Sequence, residues 1–539
     1  MKKIYTYLII ITISVLSVLP LLVKSNIWGH DTNFHLANIS DITNSISINN
    51  PLPKICTNIG NGLGYATHLF YAPLPHYIGG YLNLLFKNLN LGVDNCLTFI
   101  YLIVSILSGI VMFKYAYELS KNNYVAIISS IIYILMPYRI GDMVIRSSMN
   151  EVFIFLFLPM ILLSLNRLIN NKKYLLLFVI GYTGLILSHL VMALYTTLFI
   201  IIWLIIFYKD ILKKDTIIKL IKASLLVTIF VMPFIILLLS QKINGNYMVF
   251  VDGYMSNIDY VTSFGITVKN FLIPLNDYSW EVPQFINLLV IISSIISIYF
   301  YFKNKVKDKN ITYLITLLTI CFIMCLNIFP WKLLPKTLYM IQFPWRLQTY
   351  IALSISIISP LWIKQLSDKK IKTVAIIFCI LLVITQIPFT KSTMSYKYLL
   401  NDEIDYNLGM GHSKEYLPVN SYKNLEYFNT KEKTIKCNNC NYIIKENNSK
   451  KMVFEITSTD KQIIELPRLY YTGYELRDKN NRQVKFYENS NGLIEFVGSN
   501  NKYTLIYKGP ILYRISVVTG IITAITLIAI NIYIKSKKN

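Results

Sequence analysis

Charge is what this chain has least of. Charged residues make up 15% of its 539 positions, against roughly 25% in soluble domains. The scarcity falls on one sign, since 28 Asp+Glu face 52 Lys+Arg and leave a formal charge of +24. A chain that is 54% hydrophobic with so few charges is neither a soluble enzyme nor a disordered segment. Cysteine is also sparse. Cys437 and Cys440 form one CNNC with no second CxxC, which is short of a zinc site. A local disulfide, free thiols and a metal ligand pair all remain open for them. The chain has no H-x-H pair, and its two halves show no repeat of the kind many transporters carry.

What is present is a series of apolar runs of about 17–24 residues, the length a helix needs to cross a bilayer. They fall near 4–24, 95–113, 122–137, 151–166, 174–188, 190–208, 216–239, 285–302, 311–328, 347–363, 371–388 and 511–534. The expected fold class is a mainly α, polytopic membrane protein of about twelve helices with a small extracytoplasmic β domain before the last helix. With the N-terminus inside, every second loop is Lys-rich: Lys2 and Lys3; Lys114 and Lys121; Arg167, Lys172 and Lys173; Lys209, Lys213 and Lys214; Lys303, Lys305, Lys307 and Lys309; Lys364, Lys369, Lys370 and Lys372; Lys535, Lys537 and Lys538. That alternation is the positive-inside pattern. It makes the basic balance a signal of topology in a cytoplasmic membrane with both termini inside, rather than of nucleic-acid binding. MKK and the run to Val23 resemble a signal peptide, but no small-x-small site precedes Lys24, so a retained first helix is expected.

The domain division expected is a transmembrane part over 1–389 with a first outer loop at 25–94, a β-rich block at 390–510, and a final helix with tail at 511–539. The block carries short β-branched and aromatic runs, KMVFEIT, QIIELP, QVKFYE, GLIEFVG and KYTLIYKG, separated by turn residues. Cys321, Cys325 and Cys379 fall within spans and read as small core residues.

Polar residues at membrane depth are costly, about 2.5–3.5 kcal/mol for Asp, Lys or Arg at a helix centre, so those near span ends need a reason. Directly after the first span comes WGHDTNFHLANISDI. It places His30, Asp31, His35 and Asp41 at the outer surface, on what the spacing predicts as an amphipathic interfacial helix. A helix-capping carboxylate is the plain alternative for Asp31. In GNGLGYATHLFYAPLPHY, Gly60, Gly62 and Gly64 permit tight turns while Pro73 and Pro75 rigidify the backbone. His30, His35, His68 and His76 share this loop, which keeps a divalent metal conceivable, although structural or substrate-bonding histidines fit better. Arg139 and Arg146 flank what reads as a short outer loop, YRIGDMVIRSSMNE, and Arg346 opens the span after QFPWR. Guanidinium suits bidentate phosphate contact, and snorkelling to the interface is the alternative for each. Glu151 and His189 lie at or inside spans and must face the bundle interior; a Glu151–Arg146 ion pair is the simplest use of the acid.

HDTNFHL and GNGLGYATHLFYAPLPHY resemble the bacterial membrane family named 6-pyruvoyl-tetrahydropterin-synthase-related, which is similar in turn to the GT-C superfamily of polyprenyl-phosphate-dependent glycosyltransferases. The likeness continues in RSSMNEVFIFLFLPMILL, LSHLVMALY, QFPWRL, KEYLP and ELPRLYYTGYEL, so it covers nearly the full chain. It implies a sugar moved from a polyprenyl-phosphate carrier to a cell-envelope polymer or lipid acceptor at the outer face of the membrane. Asp31 matches the position of the catalytic base. His30, His35, Arg139, Arg146, Glu151, His189 and Arg346 would then contact substrate, and the β block would help bind the acceptor. Many relatives carry two adjacent acids there, whereas this chain has Asp31-Thr32, and Asp41 lies too far along to replace the second. A transporter or flippase of lipid-linked precursors, and a non-catalytic scaffold, are the competing readings.

Overall fold

The structure is a computed structural model that describes residues 3–23, 29–170, 172–273, 283–303, 308–395 and 404–536. Of the residues used in the sequence threading, Lys2, Lys24, Lys305, Lys307, Lys537, Lys538 and Asn539 lie outside the described residues, as does Trp28 of the WGHD segment.

Among the described residues, seven helices are long and apolar enough to cross a bilayer: Ile4–Val23, Val93–Ser120, Asn123–Val144, Met149–Ile169, Lys214–Asn244, Lys370–Thr393 and Ile511–Ile530. Four shorter apolar helices cover Leu175–Ser188, Leu190–Ile206, Leu288–Lys303 and Lys309–Cys325. Gln348–Ile358, continued by the tighter turns Ser359–Gln365, lies on the remaining apolar interval. Each interval read from the sequence therefore carries a helix. The break between 188 and 190 has a visible cause. His189 adopts an extended backbone, with φ −158° and ψ 101°, and its Nδ1 accepts the Met192 N–H at 3.3 Å as the cap of the next helix.

Packing divides the chain into two compact units. The first comprises Met1–Thr32, Leu89–Ser224 and Met255–Asp402; the second comprises Asn33–Asn88, Leu225–Tyr254 and Glu403–Asn539.

The first unit is built around Met149–Ile169, a helix buried on nearly every side that packs against Val93–Ser120 and Leu175–Ser188. Small residues let these helices approach. A Cβ on Gly184 would meet the Phe157 ring at 2.4 Å, and one on Gly109 would meet Ile134 at 2.5 Å. The stretch after residue 137 is not an outer loop: Pro137–Val144 is helical and fully buried. Pro137 starts this helix at its first position, where its missing N–H costs nothing.

The second unit joins the Gly-rich loop to two antiparallel sheets. The strands are β1 (Asn441–Asn447), β2 (Lys451–Thr457), β3 (Gln462–Leu469), β4 (Tyr474–Asp478), β5 (Gln483–Val484), β6 (Tyr487–Glu488), β7 (Leu493–Gly498) and β8 (Asn501–Tyr507). One sheet has the order β1-β2-β8-β4-β5 and the other β3-β7-β6. Cross-strand pairs such as Phe454↔Tyr503 and Ile464↔Phe496 put aromatic and β-branched side chains into the core. Gly60, Gly62 and Gly64 have φ of +70°, +75° and +85°, as the turns require. Tyr65, which follows them, donates its hydroxyl to the Met410 carbonyl at 3.1 Å and accepts the Tyr416 N–H at 3.0 Å. The Leu469 N–H of β3 donates to the Leu63 carbonyl at 2.8 Å. The helix expected to be amphipathic, Thr32–Ser45, is instead buried along most of its length. Cys437 and Cys440 form a disulfide, with Cα atoms 5.9 Å apart.

Candidate functional site

Four segments of the first unit bring acids and guanidinium groups together. Gly29–Asp31 lies along the turn that ends the Pro137–Val144 helix. The His30 N–H donates to the Ile145 carbonyl at 3.0 Å, and the Asp31 N–H donates to the Arg146 carbonyl at 2.8 Å. The glycine is obligatory at this approach: its Cβ would lie 2.6 Å from the Ile145 oxygen and 2.8 Å from the Ser147 nitrogen, inside van der Waals contact. Thr32 Oγ1 accepts the Gly29 N–H at 2.7 Å and closes the turn.

Behind Asp31 sits a buried ion network. Arg146 Nη1 contacts Asp142 Oδ1 at 2.8 Å and Glu151 Oε2 at 2.7 Å. Glu151 also accepts Arg346 Nε at 2.9 Å and the Tyr138 hydroxyl at 3.2 Å, and His189 Nε2 lies 3.8 Å from it. Arg346 Nη1 donates to the Ile341 carbonyl at 2.8 Å and to Gln342 Oε1 at 3.1 Å. The expected Glu151–Arg146 pair is thus present, but Glu151 serves two arginines. Nη2 of each guanidinium has no hydrogen-bond partner among the described residues. Each arginine also rests on an aromatic face: Arg346 lies 4.9 Å from the Phe343 ring centre and Arg146 lies 4.7 Å from that of Trp345. Those two rings stack on each other at 4.9 Å.

Asp31 differs from the other acids. It is half-buried, and among the described residues its carboxylate has neither an ion-pair nor a hydrogen-bond partner, so it does not act as a helix cap. Burial pushes its pKa above the ordinary Asp value, while Arg146 and then His30 hold it back and Glu151 adds to the rise. The result is an uncommitted carboxylate in the field of two guanidinium groups.

The remaining sequence candidates lie elsewhere. Arg139 is fully buried in its helix, donating to the Ile134 carbonyl at 3.1 Å and to Ser105 Oγ at 2.8 Å. His35 belongs to the second unit, in a chain of imidazoles. Its Nδ1 lies 2.8 Å from His76 Nε2, and His76 Nδ1 lies 3.3 Å from His68 Nε2. Burial pulls the His76 pKa down to about 3 and that of His68 well below the usual histidine range, so these rings are neutral. They bond ring to ring rather than converge on a point, and no group of three metal-ligating side chains is poised for an ion among the described residues. Asp41 holds the nearby loop, accepting the N–H groups of Asn58 at 2.7 Å, Thr57 at 3.2 Å and Ile59 at 3.3 Å. Sequence reasoning missed Asp142, Tyr138, Phe343 and Trp345. The i, i+4 spacing of Asp142 and Arg146 was the available signal.

Residues 68–397 match the family described as 6-pyruvoyl-tetrahydropterin synthase related domain, membrane protein. An uncharacterized protein of Lactococcus lactis subsp. cremoris (strain MG1363) is 24% identical over 347 residues, covering 60% of this chain and 54% of that protein. The matched part thus spans about half the length of that relative.

Proposed function

Since the chain belongs to the 6-pyruvoyl-tetrahydropterin-synthase-related family of membrane proteins, we propose that it is an inverting glycosyltransferase of the GT-C type, with twelve spans, in the cytoplasmic membrane. It takes a sugar from a polyprenyl-phosphate carrier at the outer face and passes it to a hydroxyl of an envelope acceptor. The observation that carries this reading is the pairing of an uncommitted Asp31 carboxylate with two arginines that each keep one fork nitrogen open. Asp31 accepts the proton of the acceptor hydroxyl, and that oxygen attacks the anomeric carbon. The bond from this carbon to the phosphate oxygen breaks with its electron pair, and the leaving phosphate gains charge. Arg146 and Arg346 stabilise that charge, held in place by Glu151 and Asp142 rather than reorganised during reaction.

An apolar surface beside the site suits a lipid tail. Tyr260, Phe264, Ile328 and Leu333 are exposed, and Phe264 packs edge-on against Phe343 at 4.8 Å. The direct test is transfer by the purified protein from a panel of polyprenyl-phosphate sugars. Transfer with inversion at the anomeric carbon is the expected result. Movement of the intact lipid-linked sugar across vesicles without transfer would favour a flippase and contradict the proposal.

A further inference from the structure

A second feature of the first unit lies among its candidate spans. A groove of about 700 Å³ runs between the helices Lys3–Val23, Asn123–Ile134 and Asp368–Ser395. Its walls are apolar, with Ile13, Ile131, Cys379 and Ile384 among them, and the polar groups that reach it are Tyr124 and Lys372. Both fall in the first two turns of their helices, so the polar end of the groove is the end where these helices begin. From Lys372 to Ile384 is twelve residues of helix, about 18 Å. One leaflet of hydrocarbon is about 15 Å thick, so the groove has the length of a single lipid chain.

The chemistry of the polar end selects the headgroup. Lys372 is exposed and has no ion-pair partner among the described residues. Asp368, Lys369, Lys370 and Lys372 give this helix start a net positive charge, added to the positive end of the helix dipole. An anion offsets both. Tyr124 is the kind of side chain that sits at the level of lipid headgroups.

We propose that this groove binds an acyl chain of an anionic phospholipid, with Lys372 at the phosphate of its headgroup. The site is separate from the Asp31 cluster and requires only that these helices lie in a bilayer. The test is native mass spectrometry of the full-length protein after exchange into phosphatidylglycerol or phosphatidylcholine. Wild type retains one phosphatidylglycerol preferentially. Lys372→Gln lowers that preference about fivefold, the effect of one interfacial lysine. Ile380→Trp projects a ring from an exposed position into the groove and abolishes retention, whereas Ile525→Trp, on the exposed Ile511–Ser536 helix, leaves it intact. Phosphatidylglycerol bound equally to Ile380→Trp and wild type, or headgroup preference unchanged in Lys372→Gln, would overturn the proposal. So would retention of an isoprenoid lipid in place of the phospholipid.

Discussion

Replacing Asp31, Asp142 or Glu151 by its amide makes nearly the same chemical change in three environments, and the structure ranks the outcomes. Glu151 is 1% exposed and accepts two guanidinium donors and a tyrosine hydroxyl. A hydrogen bond to a charged group contributes about 1.5–3 kcal/mol. Breaking a buried pair so that a charge is left uncompensated costs about 3–5 kcal/mol. Glu151→Gln leaves Arg346 without its carboxylate partner and Arg146 with Asp142 alone, so the full cost applies. Asp142→Asn removes one contact while Arg146 keeps Glu151, which predicts about 1.5–3 kcal/mol. Asp31→Asn removes a carboxylate without a partner, and the change should stay within about 0.5 kcal/mol. Unfolding the purified proteins from mild detergent by adding a denaturing one gives the three midpoints under one condition. A midpoint for Asp31→Asn as low as that of Glu151→Gln would refute the reasoning, because it would show Asp31 to be part of the network.

Other predictions follow from the same geometry. Gly29→Ala drives a methyl into the Ile145 carbonyl and should displace Asp31, lowering transfer by tenfold or more without loss of helix content by circular dichroism. Arg346→Lys keeps the charge but loses the fork that holds Glu151, Ile341 and Gln342 at once, so transfer should fall roughly tenfold to a hundredfold; an unchanged rate would reduce Arg346 to a structural cation. The Asp31 pKa is raised, so the folded state holds that proton more tightly than the unfolded chain does. Its contribution to stability is complete below about pH 4 and is lost as pH rises through the folded value. A base must be ionised, so the acid limb of the transfer rate should lie above pH 4. A limb at or below that value contradicts the assignment. Membrane-impermeant maleimide should label Cys437 or Cys440 in intact cells only after reductant is added, because the two are paired. Labelling confined to lysed cells would place the β sheets on the inner side.

Much of the fold was legible because one physical signal dominates a membrane chain. Every apolar run marked off by lysines carries a helix, whereas Leu74–Asn88 and Pro137–Val144 lie outside those runs, and the His189 break was visible as a polar gap between two runs. Five strand-forming runs of the β region were legible from alternation, whereas β1 and β4 were hidden by polar residues such as Lys445, Glu475 and Arg477 that face outward or pair locally. The site was legible in its members and not in its wiring. Arg139, Asp142 and Arg146 read as loop residues because ions are costly in a helix at membrane depth; burial of mutually compensating charges removes that objection. His35 and His76 stand 41 positions apart, and no local pattern announces that their rings meet.

Asp31 carries the proposed chemistry, and the most direct measurement is the transfer rate of purified, monodisperse Asp31→Asn beside wild type with a lipid-linked sugar donor. General-base assistance is worth about 10²–10⁴-fold, and a fall of that order with an unchanged unfolding midpoint is the predicted result. Transfer at the wild-type rate by Asp31→Asn would contradict the central claim.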